Sequence, residues 1–397
     1  MNRSAATLIA LIVLAMALVA SRAAAIDRNL AGSAQLDYAF VPTSPDASDG
    51  KAPGTYGFDG FTLEATEKLA VDVSDKVSAN AKLCFGCHGF ELDMTYIDYR
   101  VADEFNIRAG RFSPSFGAFN LRHDVANHKL SDKPLAYDMG RMLRLRTWNM
   151  GVLPSPFPDN GLEINGTHWF GGSTELDYAI YAIEGFKSED AHPLDIDFKQ
   201  SRMPYYVDNN SRPTVGARLA MTQKLGALSD MTLGGSGMYG TYDRNNELAY
   251  AIVGADLSFR IERTSLRMEY LARRTEMDTS DAALLALRPA SNKSAYWKQG
   301  AYVELEQRLT DSFDLLGRVD GLYRTGNFAA ADPTSDEADE VALSRRSYIV
   351  RYTLGGAYAL DRAFRVKLSA EFWQFSDEDD DGKKIALSTH LAFVGTY

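Results

Sequence analysis

Apolar and polar residues alternate with a period of two along most of this chain. Between residues 264 and 273, Leu266, Met268, Tyr270 and Ala272 share one face, while Arg267, Glu269 and Arg273 share the other. From 313 to 324, Phe313, Leu315, Val319 and Tyr323 oppose Asp314, Arg318, Asp320 and Arg324. Between 364 and 372, Phe364, Val366, Leu368 and Phe372 oppose Arg365, Lys367 and Glu371. Such alternation marks extended strands with one apolar and one polar face. It predicts sixteen strands: 30–40, 57–71, 77–85, 91–101, 105–113, 161–171, 174–186, 211–224, 229–243, 247–260, 264–276, 294–309, 312–326, 345–359, 363–376 and 384–397.

The connections fall into two alternating classes. Short ones lie at Ser74-Asp75-Lys76, Ala102-Asp103-Glu104, Gly172-Ser173, 226–228, Ile261-Glu262-Arg263, Thr310-Asp311 and Asp361-Arg362. Most others are longer: 41–56, 114–160, 187–210, 277–293, 327–344 and 377–383. An even strand number with short turns at one end and long loops at the other is the pattern of a transmembrane antiparallel β-barrel. A soluble sandwich would also alternate, but sixteen long strands with charged inner faces leave no dry core between two sheets. The last strand carries Ile385, Leu387, Leu391, Phe393 and Tyr397 on one alternate set. That terminal aromatic resembles the C-terminal assembly signal of bacterial outer-membrane barrels.

Residues 1–25 read as a secretory signal peptide, with Arg3, an apolar stretch from Leu8 to Ala20, and Ala23-Ala24-Ala25 at the cleavage position. Residues 26–397 then form a single barrel domain, expected in the outer membrane against lipid and lipopolysaccharide. The mean hydropathy of −0.24 is too polar for helical spans and ordinary for a barrel with a polar lumen. Twenty Tyr and twenty Phe suit aromatic girdles at the two interfaces. The formal charge of −11 argues against a nucleic-acid partner. No G-x-S-x-G, H-E-x-x-H or nucleotide-binding glycine pattern occurs, so an enzyme is not expected.

The only two cysteines stand in Cys84-Phe85-Gly86-Cys87-His88. C-x-x-C-H is the attachment sequence of c-type haem: two thioether links, and a histidine to ligate the iron. Cys84 belongs to the polar set of its strand with Ser78, Asn80 and Lys82, so it is expected to face the lumen, near the extracellular mouth. The connection is expected to span 86–90. The competing reading is a local disulfide between Cys84 and Cys87, which an oxidising compartment permits and which needs no histidine. Zinc would need about four ligands, of which the motif offers at most three.

With His88 proximal, the distal ligand must come from elsewhere. Loop 114–160 carries the candidates His123, His128, Met139 and Met142. A His partner gives a low potential and a Met partner a higher one. The plainer readings are polar residues of a solvated loop for the two histidines, and packing for the methionines. His168, His192 and His390 read as girdle or loop residues without a ligand role.

The stretch Asn106-Ile107-Arg108-Ala109-Gly110-Arg111-Phe112-Ser113-Pro114-Ser115-Phe116-Gly117 resembles the strand-then-Pro-Phe-Gly segment of phosphate-selective-type porins. The resemblance is sharp only over these residues. It implies a sixteen-stranded diffusion channel for small solutes, usually trimeric, with a long third loop folded into the lumen, here 114–160. The C-x-x-C-H motif departs from that pattern. Arg108, Arg111, Arg141, Arg144 and Arg146 are the candidate constriction residues, since arginine rings bias pores toward anions. The commoner reading is pairing with Asp98, Asp103, Glu104, Asp124 or Asp138. One haem, roughly 10 Å across, does not span an apolar band ~25 Å tall. Electron transfer would therefore need a periplasmic or surface cytochrome. The acidic runs Asp332 to Glu340 and Ser376 to Asp381 read as solvated loop charge, without the spacing of a calcium loop.

Overall fold

The computed structural model describes residues 27–41, 60–86, 89–138, 151–188, 193, 195–198, 201, 207–278, 288–289, 295–325, 328–329, 346–376 and 384–397. The expected leader 1–25, the acidic run 332–340 and nearly all of 376–381 lie outside the described residues.

Sixteen strands close into one antiparallel barrel. They are β1 Arg28–Phe40, β2 Gly60–Ser74, β3 Val77–Gly86, β4 Gly89–Ala102, β5 Phe105–Phe112, β6 Asp159–Phe170, β7 Thr174–Ile183, β8 Thr214–Gly226, β9 Ser229–Thr241, β10 Ala249–Ile261, β11 Thr264–Glu276, β12 Ala295–Arg308, β13 Phe313–Thr325, β14 Arg346–Ala359, β15 Phe364–Phe375 and β16 Ile385–Thr396. Each pairs with its chain neighbours, and β1 closes on β16 through Ala34↔Gly395 and Tyr38↔Leu391. Outside the wall, Arg288–Pro289 pairs with Phe328–Ala329 as a separate two-stranded sheet. The expected count therefore agrees with the structure, and most boundaries differ by a residue or two. Strand β2 is the largest exception: it starts at Gly60, not 57, and runs on to Ser74, with a register shift at Asp72/Ser74.

The alternation resolves as expected into an outer and an inner face. Leu315, Val319, Tyr323, Leu354, Leu368 and Phe372 are exposed on the outside, as are Ile385, Leu387, Leu391, Phe393 and Tyr397 of the last strand. Arg318, Asp320, Arg351, Lys367 and Glu371 are buried inside. An apolar surface of this extent, girdling a closed barrel, suits lipid and not water.

The interior differs from a water-filled lumen. Several inward residues are apolar, among them Leu271, Leu322, Ile349 and Trp373. They meet an apolar cluster carried by the third long loop, including Phe116, Phe119, Tyr137, Leu153 and Phe157. The connection after β7 adds Phe186, Ile196 and Phe198 to the same core. The physical reason is mutual burial: a loop folded into a barrel brings apolar residues that need apolar partners on the wall.

Candidate functional site

Loop 113–158 leaves the wall after Phe112 and returns at Asp159, and its described parts are fastened to strands around most of the barrel. The wall's inward charges do the fastening. Glu163 accepts from the Ser115 amide at 2.8 Å. Glu269 accepts from the Ala118 amide (2.8 Å), the Phe119 amide (3.2 Å), the Tyr137 hydroxyl (2.5 Å) and the Tyr302 hydroxyl (3.1 Å). Asp320 accepts from the Leu135 amide at 2.8 Å. Arg318 donates to the Asp132 carbonyl at 2.9 Å, and Arg351 to the Lys133 carbonyl at 2.7 Å. Lys367 donates to the Val125 and Leu130 carbonyls at 2.9 and 3.3 Å. Irregular backbone inside a barrel must find such partners, because a buried unpaired amide or carbonyl costs free energy. The charged inner faces legible in the sequence thus serve largely as anchors for this loop.

Of the haem motif, Cys84 lies in the described structure; Cys87 and His88 lie outside the described residues. Strand β3 ends at Gly86 and β4 begins at Gly89, with Gly86 paired to Gly89. The connection is therefore only residues 87–88, not 86–90, because the two glycines continue the ladder. Cys84 pairs across to Thr66 and Glu91 and sits two residues after the buried Lys82, on the inner face, while Phe85 is exposed outside. Charged groups acting on its half-buried thiol are Asp93, Lys82, Glu64 and Lys133. Among the described residues, a Cβ on Gly89 would meet nothing within 4 Å, and one on Gly86 only Glu64 Cγ at 3.6 Å. The described half of the motif thus fits a bulky group at an uncrowded rim, with ionic side chains below it.

Neither candidate histidine is a solvated loop residue; both are buried. His123 Nδ1 donates to the Asn120 carbonyl at 2.6 Å, and its Nε2 accepts from Lys82 Nζ at 2.7 Å. Burial first, and then the Lys82 ammonium, push its pKa down to about 4. Both nitrogens are therefore committed, Nδ1 within the loop and Nε2 to β3, where Lys82 also pairs with Asp93 and Asp124 at 2.9 Å each. His128 donates from Nδ1 to the Leu130 carbonyl at 2.8 Å and packs against Phe119, leaving Nε2 without a hydrogen-bond partner among the described residues. Burial, then Lys367, lowers its pKa well below the usual value. The next residue, Lys129, pairs with Glu306 and Asp314 near the turn between β12 and β13. That is the short-turn end of the barrel, whereas Cys84 lies at the opposite end of β3. Met139 and Met142 lie outside the described residues.

Of the constriction candidates, Arg141, Arg144 and Arg146 also lie outside the described residues. Arg108 pairs with Asp98 at 2.8 Å and with Glu163 at 3.5 Å, and lies 4.5 Å from the Tyr96 ring centroid. Arg111 is buried where the loop departs. Among the other histidines, His168 lies at the short-turn end, 2.6 Å from Glu104, and His192 is outside the described residues. His390 differs from the expectation. It is no girdle residue: it is buried inside the barrel among Asp37, Asp132 and Glu371. The inward alternate set of the last strand, Ala386, Ser388 and His390, was the available signal, but only the fold reveals the three carboxylates.

No protein-family model matches the chain, and no curated protein does either. Solved structures do resemble it. OmpF of Salmonella typhi, in complex with daunomycin, aligns with a TM-score of 0.57 at 10% identity, covering 93% of this chain and 97% of that one. An anion-selective porin from Comamonas acidovorans gives 0.53 at 10%, covering 94% and 100%. The trimer form of OmpT, an outer membrane protein of Vibrio cholerae, gives 0.52 at 9%, covering 94% and 100%. At such identities the likeness shows the fold, a sixteen-stranded barrel of the kind found in bacterial outer-membrane porins.

Proposed function

We propose that this chain is a porin-type channel of the bacterial outer membrane, narrowed by loop 113–158, which carries one covalent c-type haem on Cys84 and Cys87 with His88 as axial ligand. One observation carries the channel reading: a closed barrel with an apolar outside has a long loop docked across its interior. Small solutes would pass where polar side chains line the remaining space, and such a narrow path makes selectivity depend on the loop. A trimer, as one of the structurally similar proteins forms, would stand among lipid and lipopolysaccharide.

Support for the haem comes from the motif itself, from the inward face of Cys84, and from the open space at Gly86 and Gly89. When bound, haem would supply one-electron chemistry at the rim. His123 has both nitrogens hydrogen-bonded, and the residue after His128 is paired toward the short turns, so Met139 or Met142 is the preferred second axial ligand. Exchange with a periplasmic or surface cytochrome would follow, since one haem does not cross the membrane alone.

The test of the haem is a stain of denaturing gels, with the chain produced alongside a cytochrome c maturation system. Stain that survives denaturation, and that Cys84→Ala/Cys87→Ala abolishes, is expected. Its absence despite working maturation would leave a plain diffusion porin with a Cys84–Cys87 disulfide.

A further inference from the structure

Four buried side chains from four separate segments converge where the first strand meets the last. His390 lies on β16, Asp37 on β1, Glu371 on β15, and Asp132 on loop 113–158. The imidazole Nδ1 donates to Asp37 Oδ2 at 3.0 Å. Its other nitrogen, Nε2, stands 3.5 Å from Asp132 Oδ2 and 3.5 Å from Glu371 Oε2. Ligand atoms of Asp37, Asp132 and His390 all lie within 4.8 Å of one another.

We propose that His390 Nε2, Asp132 and Glu371 bind one divalent transition-metal ion, with Zn²⁺ the best match, and that Asp37 orients the imidazole. Three arguments support it. Zinc bonds to His nitrogen and carboxylate oxygen are about 2.0–2.2 Å, so neighbouring ligands in a tetrahedron lie roughly 3.3–3.5 Å apart. The two 3.5 Å separations meet that spacing before any adjustment. Next, metal-bound histidines almost always donate their other N–H to a carboxylate or carbonyl, which is the place Asp37 holds. Charge is the third. Asp37, Asp132 and Glu371 surround the imidazole, and the guanidinium beside two of them, that of Arg351, lies 3.2 Å from Asp132 and 3.3 Å from Glu371 and is shared with a further carboxylate, Asp320. Carboxylates thus crowd the imidazole in excess of the guanidinium they share, a surplus of negative charge that suits a divalent cation. Ser388 Oγ donates to Glu371 Oε2 at 2.8 Å and steadies that carboxylate. Nitrogen and oxygen donors together favour zinc over calcium or magnesium, and a water completes the fourth position. The ion would fasten loop 113–158 to the seam between β1 and β16.

The experiment uses the full folded chain, both native and as Cys84→Ala/Cys87→Ala, because the two thiols could take zinc themselves. Chelator-stripped protein is equilibrated with Zn²⁺ alone, and bound metal is counted per chain. Co²⁺ is substituted in parallel for its visible absorption. One ion per chain is expected in the cysteine-free background, with the Co²⁺ band of a four-coordinate nitrogen–oxygen site. His390→Gln should abolish binding, and Asp37→Asn should weaken it by about 10–100-fold. Zn²⁺ content in the cysteine-free chain no higher than in its His390→Gln version would overturn the proposal. So would the absence of any Co²⁺ band in the cysteine-free chain, a readout that does not depend on the His390 variant folding. Either result would assign His390 as an imidazolium paired with its carboxylates.

Discussion

Replacing Glu269 by glutamine tests whether the wall's charges hold the loop. The carboxylate accepts four hydrogen bonds, two at each oxygen: the Ala118 amide and Tyr137 hydroxyl at Oε1, and the Phe119 amide and Tyr302 hydroxyl at Oε2. An amide nitrogen accepts none. Whichever way the glutamine turns, one loop amide and one tyrosine hydroxyl lose their acceptor. Hydrogen bonds to a charged group contribute about 1.5–3 kcal/mol each. Ala118, Phe119 and Tyr137 belong to the loop and Tyr302 to the wall. Two loop bonds at the lower end of that range, or one at its upper end, are therefore lost, and docking weakens by about 3 kcal/mol. At 1.4 kcal/mol per tenfold, the undocked population rises about 100-fold. Trypsin reads this directly, because Arg122 and Lys129 lie in the loop and cleavage follows the open population when opening is fast. The ladder hydrogen bonds of the barrel are untouched, so the variant should keep the heat-modifiable gel mobility of a folded barrel. Cleavage of folded Glu269→Gln within about threefold of the unmodified chain, far short of the about 100-fold expected, would refute the reasoning.

Acidification should loosen the same loop. His123 has a pKa of about 4 when docked against Lys82, Asp93, Asp124 and Lys133, and about 6.5 when free, so the undocked form takes up the proton first. Docking is unaffected above pH ~6.5, weakens as pH falls from there to about 4, and then levels off, for a total of at most about 3 kcal/mol. Loop proteolysis by an acid-tolerant protease should rise over that window in the unmodified chain and stay flat in His123→Gln. Gly110→Ala should destabilise the barrel near the loop's departure point. Gly110 has φ +128°, and an added Cβ would fall 2.5 Å from the Thr95 carbonyl oxygen, a strain of about 1–3 kcal/mol that should lower the urea midpoint of unfolding.

Strand number, strand parity and the two faces were legible because a barrel obeys the local rule of alternation, residue by residue. The interior was not, because loop 113–158 has no period of its own and its partners are as far as 242 residues away in sequence. Asp132 meets Arg351, and Val125 meets Lys367. Nothing local in Asp132 or in His390 announces that they converge. The motif at Cys84 was readable as chemistry, and its inward face followed from alternation. The length of its connection did not, since two glycines that look like a loop instead continue the ladder to Gly86↔Gly89. Arg108 agrees with its commoner reading, since pairing with Asp98 requires only the neighbouring strand.

Single-channel conductance in planar bilayers tests the central claim most directly. The unmodified chain would be compared with one in which residues 116–156 are replaced by a short Gly-Ser linker, both first shown to be folded by heat-modifiable mobility. A barrel narrowed by its docked loop predicts small conductance in the unmodified chain and a severalfold increase when the loop is removed. Equal conductance in the two would contradict the account, since the loop would then not be what closes the lumen.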